Sequence, residues 1–233
     1  MKWNNKLEQM FRLKNNKTDT SETNSPQHKE HLPITFNLNA MIIADTHGCL
    51  REEDFPKEID IDVCFLLGDV FDNDLRLVLS RIINIPIYGI LGNHDGFELL
   101  NRFGIRNIHN DIIEINGVKV AGLQGSIKYK YSDMPLYTDE ESITVANQLA
   151  VADILISHDS PKYVFTATDF AHSGLSGITE YLNRHNISLH LHGHHHENRK
   201  TVLENGTTSI CTYGVSIISI NDGQLQINNY TNF

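Results

Sequence analysis

The chain has 233 residues, 40% of them hydrophobic and 21% charged, which suits a globular protein with one sizeable buried core. No apolar run approaches the ~20 residues needed to cross a bilayer, and the opening MKWNNKLEQMF lacks the continuous apolar stretch of a secretory signal, so a cytoplasmic protein with no membrane partner is expected. A formal net charge of −10 disfavours a general nucleic-acid binder, and three cysteines without a CxxC pair (Cys49, Cys64, Cys211) argue against a disulfide framework.

Residues 14–33, KNNKTDTSETNSPQHKEHLP, carry few large apolar side chains and cannot offset the entropy of ordering. Residues 1–35 are therefore expected to form a flexible leader, and 36–233 the folded domain. Within the leader, Leu7, Met10, Phe11 and Leu13 fall at the spacing of a short amphipathic helix docked on a core. From residue 38 the pattern changes to short runs rich in Ile, Val and Leu, over 38–45, 61–69, 85–93, 111–123, 153–158 and 187–193. Such runs fit strands covered on both faces. Helix-compatible segments lie between them, over 72–83, 138–150 and 175–185. The tail, 199–230, places Asn205-Gly206 and Asp222-Gly223 turns between β-branched alternating runs, which reads as hairpins. The expected architecture is a layered α/β domain ending in an antiparallel meander.

Polar groups collect where these runs stop: Asp45-Thr46-His47-Gly48, Gly68-Asp69, Gly92-Asn93-His94-Asp95, Ser157-His158-Asp159 and Gly193-His194-His195-His196. Ligands bind at the carboxyl ends of parallel strands, so five loops are expected to converge. Imidazole, carboxylate and amide suit two neighbouring divalent ions, and a carboxylate can bridge them. In an extended segment residues i and i+2 share a side, so Asp45 with His47, and His194 with His196, can each present two ligands while Thr46 and His195 point away. His190 and His192 are expected to pack or to support the ligands.

Asp45-x-His47, Gly68-Asp69-x-x-Asp72, Gly92-Asn93-His94-Asp95, the later His158 and Gly193-His194-x-His196 together resemble the ordered blocks of the calcineurin-like metallophosphoesterase superfamily, over about residues 41–197. The resemblance implies two mixed β-sheets packed as a sandwich flanked by helices, with a dinuclear metal site at the carboxyl edge of the strands. It implies that Asp45, His47 and His196 hold one metal, that Asn93, His158 and His194 hold the other, that Asp69 bridges, and that His94 and Asp95 are the catalytic pair. Two divalent or mixed-valence ions of manganese, iron or zinc are the implied cofactors. The expected reaction is hydrolysis of a phosphate ester by a metal-bridging hydroxide, with His94 as general acid and Asp95 orienting its ring. A nuclease acting on single strands, or a metal-binding scaffold without catalysis, are the alternatives.

A small phosphorylated substrate is the expected partner, whether monoester or diester, and oligomeric state is left open. Few cations lie near the blocks: Arg51, Lys128, Lys130 and Arg199. Tyr129, Tyr131 and Tyr137 can stack on a base or form a packed rim loop, and His172 is a candidate rim contact.

Overall fold

In the first strand, β1 (Leu38–Ala44), Ala40, Ile42 and Ala44 join one apolar cluster while Met41 and Ile43 join another. A strand buried on both faces needs cover on both, and the rest of the fold supplies it. The computed structural model describes residues 30–164 and 169–231. In one sheet β1 lies between β2 (Val63–Leu66) and β13 (Gly214–Asn221); β3 (Ile87–Gly89) and β4 (Arg106–Asn107) extend it past β2, and β14 (Gln224–Asn229) extends it past β13. β1 to β4 run parallel, whereas β13 is antiparallel to both of its neighbours.

The second sheet is also mixed. Its order is β11 (Arg199–Val202), β12 (Thr208–Cys211), β10 (Leu189–His192), β9 (Ile154–Ser157), β6 (Val118–Leu123) and β5 (Ile112–Ile115). A short pair, β7 (Ser126–Ile127) and β8 (Leu136–Tyr137), stands apart. Phe65, Val120, Ile156 and Leu191 meet in the core between the sheets. Helices α1 (Asp72–Arg81) and α2 (Leu99–Arg102) cover the outer face of the first sheet through Leu75, Val78 and Leu100. Helices α3 (Asp139–Gln148) and α4 (Ser176–His185) cover the second through Ala146, Ile178 and Tyr181. The start of α3 is fixed by a capping box in which Thr138 and Glu141 satisfy each other's backbone amides. No helix among the described residues is long and apolar enough to cross a membrane.

Three expectations are revised. The tail does not form one meander: β11–β12 belongs to the second sheet, where β12 runs parallel to β10, and β13–β14 belongs to the first. Ile210 and Ile218 enter the central core from opposite sides, so the chain crosses the sandwich between them. The strands also stop short of their apolar runs, because Gly68-Asp69 and Leu91-Gly92-Asn93 have left the ladders for the ligand loops. Finally, folded structure begins before residue 36. The Leu32 amide donates to the Gly206 carbonyl at 2.7 Å, and Ile34 is buried in the central core. The rest of the expected leader, with its helix over 5–13, lies outside the described residues.

On the outer face of β10, His190 is fully buried between the hydroxyls of Ser157 (2.7 Å) and Ser209 (2.9 Å), stacked on His192. Burial holds its pKa down to about 3, from the ordinary 6.5. The folded chain therefore keeps this ring neutral while the unfolded chain protonates it below about pH 6.5, so stability falls as pH drops toward 3. At about pH 5 the loss attributable to one such ring is about 2 kcal/mol. Chemical denaturation of metal-free His190→Gln at pH 7 and 5 should show a drop smaller than the wild type's by about that amount; equal drops would contradict it.

Candidate metal centre

The carboxyl ends of β1, β2 and β3 meet those of β9 and β10 at one edge of the sandwich, and backbone hydrogen bonds tie their loops together. The Asp45 amide donates to Gly68, that of His47 to Asp69, and that of Gly193 to His158, at 3.0–3.1 Å. Asp45, His47, Asp69, His194 and His196 all have φ between 47° and 71°. This left-handed region costs a non-glycine residue roughly 1 kcal/mol or more and persists where surrounding contacts over-determine it. The side-chain pairing within Asp45-x-His47 and His194-x-His196 thus comes from tight turns beyond the strands, not from the expected strand alternation. Two glycines permit the crowding. A Cβ on Gly92 would collide with Asp69 Oδ1, and one on Gly193 with Asp45 Oδ2.

Each central carboxylate has one oxygen held by a backbone amide and the other turned towards imidazoles. Asp45 Oδ2 accepts from the His194 amide at 2.7 Å, while its buried Oδ1 has no hydrogen-bond partner and lies 3.7 Å from His196 Nε2. Asp69 Oδ1 accepts from the His94 amide at 2.9 Å, and its Oδ2 lies 3.9 Å from His47 Nε2 and 3.7 Å from His158 Nε2. Two groups with metal-ligand spacing result, Asp45–His47–His196 and Asp45–Asp69–His158. Asp45 is thus within reach of both, but Asp69 Oδ2 is the oxygen that faces an imidazole from each side.

The donor chemistry fits cations. His158 Nδ1 donates to the Leu67 carbonyl at 2.8 Å, and burial lowers the ring's pKa to about 4, so its Nε2 carries a lone pair. That lone pair points at Asn93 Oδ1, another acceptor, 2.8 Å away. Two acceptors converging in a buried site call for a cation between them. His194 donates from Nε2 to the Ala171 carbonyl, which leaves Nδ1 for a ligand, and burial lowers its pKa to about 4. His47 and His196, whose Nε2 atoms are 3.1 Å apart, are also shifted down by desolvation. The acids move the other way. Burial, then the Asp69 charge, pushes Asp45 well up and Asp95 up to about 7. A cation would relieve that repulsion and bind the neutral imidazoles.

All seven residues expected as ligands reach this edge, with His194 beside His158, ring centroids 5.0 Å apart. His94 is exposed at the mouth, its ring 5.7 Å from that of His47. Asp95 does not orient that ring. Its buried Oδ2 accepts from the Asp69 and Gly92 amides, both at 2.8 Å, so it fastens two ligand loops from beneath. His195 bonds Ser160 Oγ, and His172 stacks on His194 while holding Asp169 at 2.8 Å. Tyr137 is no rim stacker: its hydroxyl lies between His109 and Gln124. Tyr129 receives a hydrogen bond from Asn93, and Tyr131 is fully exposed.

Asp74 was not singled out from the sequence. At the start of α1 it is 1% exposed and accepts from Thr46 Oγ1 (2.5 Å), the Gly48 amide (2.7 Å) and the Leu50 amide (3.2 Å), pinning the turn that carries Asp45 and His47. Asp72, which matched the resemblance, is instead half-buried and pairs with Arg102. The available signal was a second aspartate in the first turn of a helix following Gly-Asp. Asp74→Ala should weaken metal binding about 10- to 100-fold with the secondary structure kept. Calorimetric titration of the metal-free protein reads this out, and unchanged affinity would contradict it.

The model of the calcineurin-like phosphoesterase family matches residues 38–198. An uncharacterized protein of Haemophilus influenzae is 25% identical over 201 residues, covering 68% of this chain and 83% of that one. TT1561 of Thermus thermophilus shares the fold with a TM-score of 0.60 at 13% identity, over 84% of this chain and all of that one. Phosphopantetheinyl hydrolase of Mycobacterium tuberculosis does so with a TM-score of 0.54 at 13% identity, over 76% of this chain and 89% of that one. The family match spans all five ligand loops and the strands that lead into them, and the chain belongs to the calcineurin-like phosphoesterase family.

Proposed function

We propose that the protein hydrolyses a small phosphate ester with two divalent ions, of manganese, iron or zinc, held at this edge. The observation that carries the reading is the convergence of His158 Nε2, Asn93 Oδ1 and Asp69 Oδ2, buried acceptors with no cationic side chain among them. Asp45, His47 and His196 would hold one ion and Asn93, His158 and His194 the other, with Asp69 offering an oxygen to both. Bound ions supply an activated water at neutral pH and neutralise charge on phosphoryl oxygens. In the net reaction water adds to phosphorus, the ester P–O bond breaks, and the leaving oxygen takes a proton. His94 provides that proton from the exposed mouth. Its backbone is fixed by Asp69 Oδ1, and its ring is free of the Asp95 carboxylate. The work of Asp95 is to hold the Asp69 and Gly92 loops in register.

Exhaustive chelation should abolish hydrolysis of phosphomonoester and phosphodiester panels, and added manganese should restore it; full turnover in a verified metal-free preparation would contradict the proposal. His94→Asn should keep its metal content while kcat/KM on an alkyl ester falls roughly 10²- to 10⁴-fold. The same variant should lose much less on a nitrophenyl ester, whose leaving group needs no proton. Equal losses on both, with metals retained, would remove His94 as the acid and leave it a purely electrostatic role.

A further inference from the structure

We infer that the mouth of this centre takes an ester whose alcohol is a planar aromatic or heteroaromatic group, stacked on Phe71, an inference that rests on the proposed hydrolysis and names its substrate class. Phe71 follows Asp69 by two residues and caps the start of α1. Its ring meets that of His47 edge-on, with centroids 5.5 Å apart and planes at 84°, yet the residue remains 36% exposed. In the same ligand group Tyr213 lies flat against His196, with centroids 5.1 Å apart and planes at 15°. The border of the Asp45–His47–His196 group is therefore walled by aromatic rings.

Among the described residues, four of the five cations around the ligand loops lie beside an acid or over a ring. Arg51 pairs with Glu53, Arg199 with Glu197 and Lys162 with Asp139, and Lys130 lies over the ring of Tyr129. Lys128 is left exposed beside them. A polyphosphate or nucleic-acid backbone meets little complementary charge here, in a chain of net charge −10. An aliphatic polyol would set hydroxyls against the Phe71 ring without hydrogen-bond partners. A single phosphoryl group at the ligand cluster with a π face beyond it meets both the charge and the shape of this border.

The test uses two non-hydrolysable probes with the same head group and a six-membered ring of similar size, benzylphosphonate and cyclohexylmethylphosphonate. Their Kd values are measured by calorimetry on the manganese-loaded full chain. The wild type should bind the benzyl compound about three- to tenfold more tightly, and Phe71→Leu should bring the ratio close to one with metal content unchanged. Failure to bind either probe, a wild-type ratio near one or favouring the cyclohexyl compound, or a preference that survives Phe71→Leu would each overturn the inference. If the leucine variant loses its metal, Phe71→Met serves in its place, and a benzyl preference that survives in it overturns the inference. Absence of turnover on esters together with a preserved benzyl preference would instead overturn the proposed hydrolysis and leave the aromatic site standing.

Discussion

The arrangement turns on one electrostatic constraint: Asp45, Asp69 and Asp95, each at most 2% exposed, share one edge of the sandwich with no lysine or arginine paired to them among the described residues. Burial and mutual repulsion raise Asp45 and Asp95, while the surrounding imidazoles are held neutral by the same desolvation. Uncompensated, such a cluster is costly, and side-chain hydrogen bonds alone do not resolve it, since Asp45 Oδ1 and Asp95 Oδ1 have no partner. Divalent cations would balance the charge and use the lone pairs that face inward.

The fold meets that constraint by using backbone to hold carboxylates. One oxygen each of Asp45, Asp69 and Asp95 accepts from a backbone amide in another loop or turn, and Asp74 does the same for the Asp45–His47 turn. This close approach needs glycine at two places, since a Cβ on Gly92 would strike Asp69 and one on Gly193 would strike Asp45. Asp45, His47, Asp69, His194 and His196 hold left-handed φ in the same crowded turns, where the surrounding contacts keep them. Strand packing sets where the loops begin; the loop-to-loop hydrogen bonds set where the ligand atoms end.

Much of this was legible in the sequence. Apolar runs located the parallel strands because a strand covered on both faces has little choice of residue, and polar groups at the ends of those runs located the site. What was missed lies where tertiary contacts decide. The tail's two hairpins carry the same local turn signals whether they share a sheet or divide between two, and only the packing of Ile210 and Ile218 into one core separates the cases. Ile34 gave no periodic signal, being a single apolar residue after a polar stretch. The family resemblance made His94 and Asp95 a catalytic pair, but a carboxylate on the adjacent residue can turn inward to amides as easily as outward to a ring. Asp74 resembled an ordinary acidic residue in a first helical turn until its three donors were located.

The central claim, that these buried acceptors form a two-ion site shared through Asp69, is tested most directly by anomalous diffraction from crystals grown with manganese. The account predicts two peaks roughly 3.5–4 Å apart. One should touch Asp45 Oδ1, His47 and His196, and the other Asn93 Oδ1, His158 Nε2 and His194 Nδ1, with Asp69 Oδ2 between them. A single peak, sharing through Asp45 in place of Asp69, or no ion at this edge would contradict it.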